Sequence, residues 1–410
     1  MAAEQAVEVL RQLKIEEEDT FNTENAAPAL LDVRAIDPVF NRTQQVFRRG
    51  QRLQRLTMDP GRVLGRNEGN LTFGHELVGA GTALSESASA ANDTLQTILS
   101  ACFGNSQGTW GSTAAGGGTT TVFDVAAGEG GRFKAGTAIL CVGTGTSGVN
   151  EIGVIKLTAV DTITLEFALT NTPGAGAIIY NGYTSYIDPS GSTTLQAQML
   201  AEANASEFLG LGMVGTAKPD NLLQLDNGPA VLNFDLALAQ WETDAGTMAA
   251  GSYSEPAPLG TSEDLRIQYQ TENTTTRSLI SVSALDIDPR LSWNLFRARG
   301  NGDINHADRV KMTGGVATDS GPMASFTADV DSTFLTQMRA QTVKMLCVMF
   351  GRTPGQSWCI CIPRANIIAT PGETAAEEQT ASEVQLAALE NDSGDASTAL
   401  MRSPMFITRL

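Results

Sequence analysis

Only two histidines, His75 and His306, stand in the 410 residues of this chain, against five cysteines and 45 carboxylates. Imidazole is the commonest general base and metal ligand near neutral pH, so this scarcity narrows the chemistry at once. His306 lies between Asp303 and Asp308 in NGDINHAD, and DSGDAS at 392–397 is similarly rich in oxygen donors. Such loops could hold a hard cation, yet neither has the twelve-residue spacing closed by a glutamate that an EF-hand uses. Both read as solvated loops. Cys102, Cys141, Cys347, Cys359 and Cys361 are odd in number and widely spread. Cys359 and Cys361 form a C-x-C pair, which on a strand puts both thiols on one face. Without C-x-x-C spacing or a neighbouring histidine, a zinc site has no support, and the pair reads as small buried hydrophobes in a reducing compartment.

Three glycine-rich stretches, GSTAAGGG (111–118), GEGG (128–131) and GTGTSG (143–148), evoke loops that cradle phosphate. None ends in Gly-Lys-Ser/Thr and none leads from a strand into a helix, so flexible turns are the reading. Glu16, Glu17, Glu18 and Asp19 form a charge run on an N-terminal arm, not an acid/base pair that a fold holds apart. No catalytic residue, metal or cofactor is indicated. The sequence predicts a protein that is not an enzyme.

Charge says more. The chain carries −18 overall, which argues against a general nucleic-acid binder. Between Arg34 and Arg66, however, eight arginines (34, 42, 48, 49, 52, 55, 62 and 66) face only Asp37 and Asp59, a net +6 that leaves −24 for the rest. Such asymmetry calls for an electrostatically complementary partner, and the simplest is another copy of the same acidic chain. Arg48, Arg49, Arg52 and Arg55 are the expected inter-subunit contact. Aromatics for stacking on bases are confined here to Phe40 and Phe47, which disfavours a nucleic-acid arm. No run approaches the ~20 apolar residues of a spanning helix, and the first residues have neither a basic n-region nor an apolar h-region, so synthesis in the cytoplasm is expected.

With 42% hydrophobic residues the chain can build a large core or two. Two segments have helical character. Residues 1–20 offer Val7, Leu10, Leu13 and Ile15 on a sparse amphipathic face. Residues 86–104 place Leu95, Ile98, Leu99 and Cys102 together, with Asn92 or Asp93 as cap and Gly104 as stop. Nearly everything else alternates with period two: 71–79, Leu232 to Leu238, Leu265 to Gln270, a hairpin across 343–363, and ASEVQLAAL. This predicts a mainly β chain, an antiparallel sandwich or barrel with a flanking helix. From Gly111 a flexible-looking linker enters short strands without helical signal, so 118–182 reads as a small β-domain inserted into a core made of 1–117 and 183–410.

The colinear order of several short motifs resembles the tail tube proteins of tailed bacteriophages, particularly those of long, non-contractile tails. The acidic EEEDTFNTENAAPALL leads to VRAIDP and the Arg-rich stretch. LTFGHELVGAGTALSESASAANDTLQTILSACFG follows as strand, glycine corner and helix. YIDPSGSTTLQAQML, GMVGTAKPDNLLQLDNGPAVLNFDL and WCICIPRANIIATPG come next, in the family's order. The resemblance covers most of the chain outside 118–182 and departs from the family at that insert. It implies protomers in six-fold rings stacked into a tube, built around a tape-measure protein between tail-tip and tail-terminator proteins. Double-stranded DNA would pass through without specific binding, and the protein would reside in the virion tail. An acidic bore suits that role, since it repels phosphates. Expected lumen positions are the polar faces of the best alternating strands, Asn233 and Asp235 together with Arg266, Gln268 and Gln270. The insert would face outward, because a bore has no room for it.

A major capsid protein is the nearest alternative, but it would show a long spine helix. A β-rich secreted adhesin would show a signal peptide, exposed aromatics and paired cysteines, and aromatics here are only 6%.

Overall fold

The computed structural model describes residues 12–26, 30–48, 62–78, 94–144, 149–188, 190–191, 193–200, 207–224, 228–244, 265–272, 274–296, 309–314, 323–329, 332–369, 372–376, 379–389 and 399–410. The chain is mainly β, and every strand pairing among the described residues is antiparallel. Three layers stack in the order outer sheet, middle sheet, inserted barrel.

The outer sheet holds Gln12–Glu17, Leu31–Val33, Ile36–Arg48, Arg62–Glu76, Leu195–Leu200, Glu207–Asp220, Val231–Leu238 and Gln240–Asp244. Its alternation is legible residue by residue. Leu232, Phe234, Leu236 and Leu238 point inward and are buried, while Asn233 and Asp235 point out and are exposed. Phe73 stacks on Phe234 across the pair, ring centroids 5.0 Å apart. The segment 12–17, expected within a helix, is a strand: Leu13 and Ile15 share the inward face and pair opposite Met199 and Ala197. Residues 1–11, with Val7 and Leu10, lie outside the described residues.

The middle sheet contains Lys344–Phe350 and Trp358–Ile367, the expected hairpin, joined to Arg266–Thr271 on one side and to Gln379–Ala388 and Phe406–Arg409 on the other. It is covered on both faces, which explains its near-continuous apolar runs. Leu346, Val348, Trp358 and Ile360 face the outer sheet, and Met345, Cys347, Cys359 and Cys361 face the barrel. Cys359 and Cys361 thus share one face as the spacing implied, and all five thiols are buried and unpaired.

The helix Thr94–Phe103 fills the gap between the sheets with Leu95, Ile98, Leu99 and Cys102. The earlier part of the expected helix, including Asn92 and Asp93, lies outside the described residues. Gly104 ends it at φ +97°, a conformation costly for any side chain. The turn of the YIDPSG motif seats there: the Asp188 N–H donates to the Phe103 carbonyl at 2.9 Å, and a Cβ on Gly191 would fall 2.0 Å from the Gly104 carbonyl oxygen. Two motifs far apart in the chain, read separately in the sequence, are halves of one contact.

The insert is a closed barrel of Trp110–Gly118, Val122–Val125, Ala138–Thr144, Val149–Thr158, Thr162–Leu165 and Ile178–Asn181. Its first strand is the stretch expected to be a linker, so the domain begins at Trp110 and not at 118. Gly116, Gly117 and Gly118 all have positive φ and lie in the irregular stretch of its pairing with Val122–Val125, between Ala114 opposite Val125 and Gly118 opposite Phe123. Entry and exit strands leave the middle sheet together: Gly104–Gln107 pairs with Tyr183–Ile187, then Trp110–Gly118 with Ile178–Asn181.

Candidate functional site

The Arg-rich segment is one arm of a long hairpin. Ile36–Arg48 pairs with Arg62–Glu76 along its whole length, from Ile36 opposite Gly74 to Arg48 opposite Arg62. Only the base of the hairpin belongs to the sheet proper, because Val231–Leu238 pairs with residues 69–76 alone. Beyond Arg42 and Gly69, the two strands have no sheet partner but each other among the described residues. The rise of about 3.3 Å per residue makes that two-stranded ribbon about 20 Å long. The base is anchored by Phe40, whose ring stacks on Phe208 at 5.9 Å. Arg48 therefore closes the first strand, while Arg49, Arg52 and Arg55 lie outside the described residues.

The second candidate surface is the outward face of the outer sheet. Asn233 and Asp235 stand on it opposite Lys218 and Thr216, with Thr72 and Gly74 on the other side. Asn70 donates to Asp235 at 2.9 Å and Asn233 donates to Asp220 at 3.1 Å, so the polar row is ordered by its own side chains. Arg266, Gln268 and Gln270 do not join it. They sit on the middle sheet, opposite Met349, Cys347 and Met345, on the face that the barrel covers. Gln268 and Gln270 are buried, and the Gln270 amide donates to the Glu166 carbonyl of the barrel. The alternation was right, but the face taken as open is covered by the inserted domain.

The Glu16–Asp19 run is also not a solvated arm. Glu16 and Glu18 are buried. Glu18 Oε1 accepts the Gly212 N–H at 2.6 Å, and its Oε2 accepts the Thr194 hydroxyl at 2.7 Å and the Asn22 N–H at 3.0 Å. Burial raises its carboxyl above the ordinary carboxylate value, with these three donors pulling the other way. Glu16 accepts from the side-chain amides of Gln196 and Asn25, so residues 18–25 fold back over this end of the sheet. That is structural chemistry, with donors set against both carboxylates.

Sequence reasoning also missed the bond between insert and core. Arg277, from the core, meets Glu151 of the barrel at 2.9 Å, with the Glu151 side chain only 1% exposed. Glu151 also accepts the N–H groups of Thr170 and Asn171, and Arg277 lies over the Phe167 ring. No spacing rule could pair residues 126 positions apart. Burial pushes the Cys347 thiol well up and that of Cys361 to about 11, the opposite of a reactive thiolate. His75 is buried beside the Glu76 carbonyl. His306 and the 392–397 loop lie outside the described residues, and among those described no cluster of three or more ligating side chains could hold a metal.

The chain matches no known protein-family profile, and no curated protein is similar enough to count as a relative.

Proposed function

We propose that this chain is a non-enzymatic structural subunit that polymerises head-to-tail, as stacked six-fold rings, into the tail tube of a long-tailed bacteriophage. The observation that carries the reading is the hairpin. A strongly acidic protein extends its one basic segment on a two-stranded ribbon beyond its own sheet. Exposed edges and paired charges of this kind are how subunits find one another. The polar outward face around Asp235 and Thr216 supports a bore wall along which a DNA duplex slides, since carboxylates repel phosphates. The barrel lies across the middle sheet from that face, so it would point away from the bore.

The test is charge reversal. Arg48, Arg49, Arg52 and Arg55 changed together to Glu should give a folded, soluble subunit that sediments as a monomer where the parent forms tubes. Normal tubes from that variant would refute the contact.

A further inference from the structure

The hairpin that bears the arginines also bears, at its other end, a surface suited to receive them. Where Ile36 pairs with Gly74, the absent side chain of Gly74 leaves an open cleft of about 540 Å³ on the outward face, lined by Ile36, Asp37, Thr72, Asp220, Val231 and Asn233. A Cβ at position 74 would lie 3.2 Å from Val231 and 3.4 Å from Ile36, so a side chain there would narrow the cleft. The rim is apolar and acidic together: Ile36 is 39% exposed and neighbouring Val39 40%, beside the exposed Asp37 and Asp220. The nearby ammonium of Lys218 is already held by Asp286 at 3.1 Å and Asp288 at 3.8 Å.

We infer that this cleft seats the arginine-bearing end of the hairpin of a second copy. Charge selects the occupant, because the segment from Arg34 to Arg66 is the one basic stretch of an otherwise acidic chain. Reach rules out the chain's own hairpin. Arg48 is twelve residues from Ile36 along one strand, about 40 Å at 3.3 Å per residue, and a paired ribbon cannot double back on its base. Donor and acceptor surfaces at opposite ends of one stiff element make a heterologous contact, which propagates as an open filament. The hairpin then limits the axial repeat to no more than about 40 Å.

This rests on the polymerising role proposed above, and the experiment separates the two. In one protein Asp37 and Asp220 are changed to Lys, and in another Arg48 and Arg62 to Glu, each checked for folding by far-UV circular dichroism. Each should fail to assemble alone, and an equimolar mixture should restore tubes, since the Glu-bearing hairpin of one variant then meets the Lys-bearing cleft of the other while the unaltered hairpin and cleft meet as in the parent. The milder Asp37→Asn with Asp220→Asn keeps the positive φ of Asp37 and a side-chain oxygen at 220, and should dissolve tubes at lower salt than the parent needs. Parent tubes accompanied by normal tubes from the Asp37/Asp220 lysine variant would overturn the cleft and leave polymerisation standing. A mixture that stays dispersed, with both proteins folded, would overturn it too. No tubes from the parent would remove both.

Discussion

Changing Arg277 to Met should loosen the inserted barrel from the core. The Glu151 carboxylate is 1% exposed and the Arg277 side chain 14%, so the pair sits where water screens little. Removing one member of a buried pair costs about 3–5 kcal/mol, because the remaining charge is left without compensation. Glu151 keeps the N–H donors of Thr170 at 2.7 Å and Asn171 at 3.2 Å, which places the expected cost at the low end, about 3 kcal/mol. The Phe167 ring loses its overlying guanidinium as well. Chains of this size need not unfold in one step, so the assay is hydrogen exchange rather than a single melting curve. Amides of Val149–Thr158 and of residues 168–171 should exchange about a hundredfold faster, the equivalent of roughly 3 kcal/mol, while those of Val231–Leu238 keep their rates. Adding Glu151→Gln should return part of the loss by removing the orphaned charge. Unchanged exchange in the barrel of the single variant would refute the claim that this pair holds the insert in place.

Other outcomes follow from the same contacts. All five thiols should resist a disulfide reagent in the native protein and react in guanidinium; one fast-reacting native thiol would contradict their burial. Glu18→Gln should destabilise by about 1–3 kcal/mol, because an amide NH2 must then face a donor where the carboxylate accepted three. Burial raises the Glu18 carboxyl, so the folded state binds its proton more tightly than the unfolded one and this group's contribution falls as pH rises through the ordinary carboxylate range. Asp188 has the opposite sign. Burial pushes it up, but donors on Ser190 and Asn105 outweigh that and hold it low, so its contribution is present above about pH 4 and lost as pH falls below it. Urea titrations of Glu18→Gln and Asp188→Ala between pH 3 and 7 should therefore differ from the parent with opposite slopes. Gly191→Ala should cost at least about 1 kcal/mol, because its methyl group would enter the Gly104 carbonyl.

The strands were legible in the sequence wherever one face is wet. Val231–Leu238 shows the full alternation of Leu and Phe against Asn and Asp because water lies on one side. The helix Thr94–Phe103 was legible too, its apolar positions falling at helical spacing before a stop glycine. The short helix Ser332–Arg339 was not, since Phe334 and Met338 alone face the core. The N-terminal strand was misread because Val7, Leu10 and Leu13 mimic a helical spacing. What fixes 12–17 as a strand is its pairing with Leu195–Leu200, far along the chain. GSTAAGG looked like a linker because Gly, Ser and Ala have little strand preference of their own, and cross-barrel pairing on both sides supplies what composition lacks. The Arg-rich segment was visible in the sequence as charge alone. That it runs along a hairpin, with a cleft at the far end, is a property of register.

The most direct test is negative-stain electron microscopy of the purified protein at low and high salt. Hollow tubes with an axial repeat of no more than about 40 Å, dispersing as salt screens the arginine contact, are the predicted result. Dispersed single subunits at every concentration and salt, or closed shells instead of tubes, would contradict it.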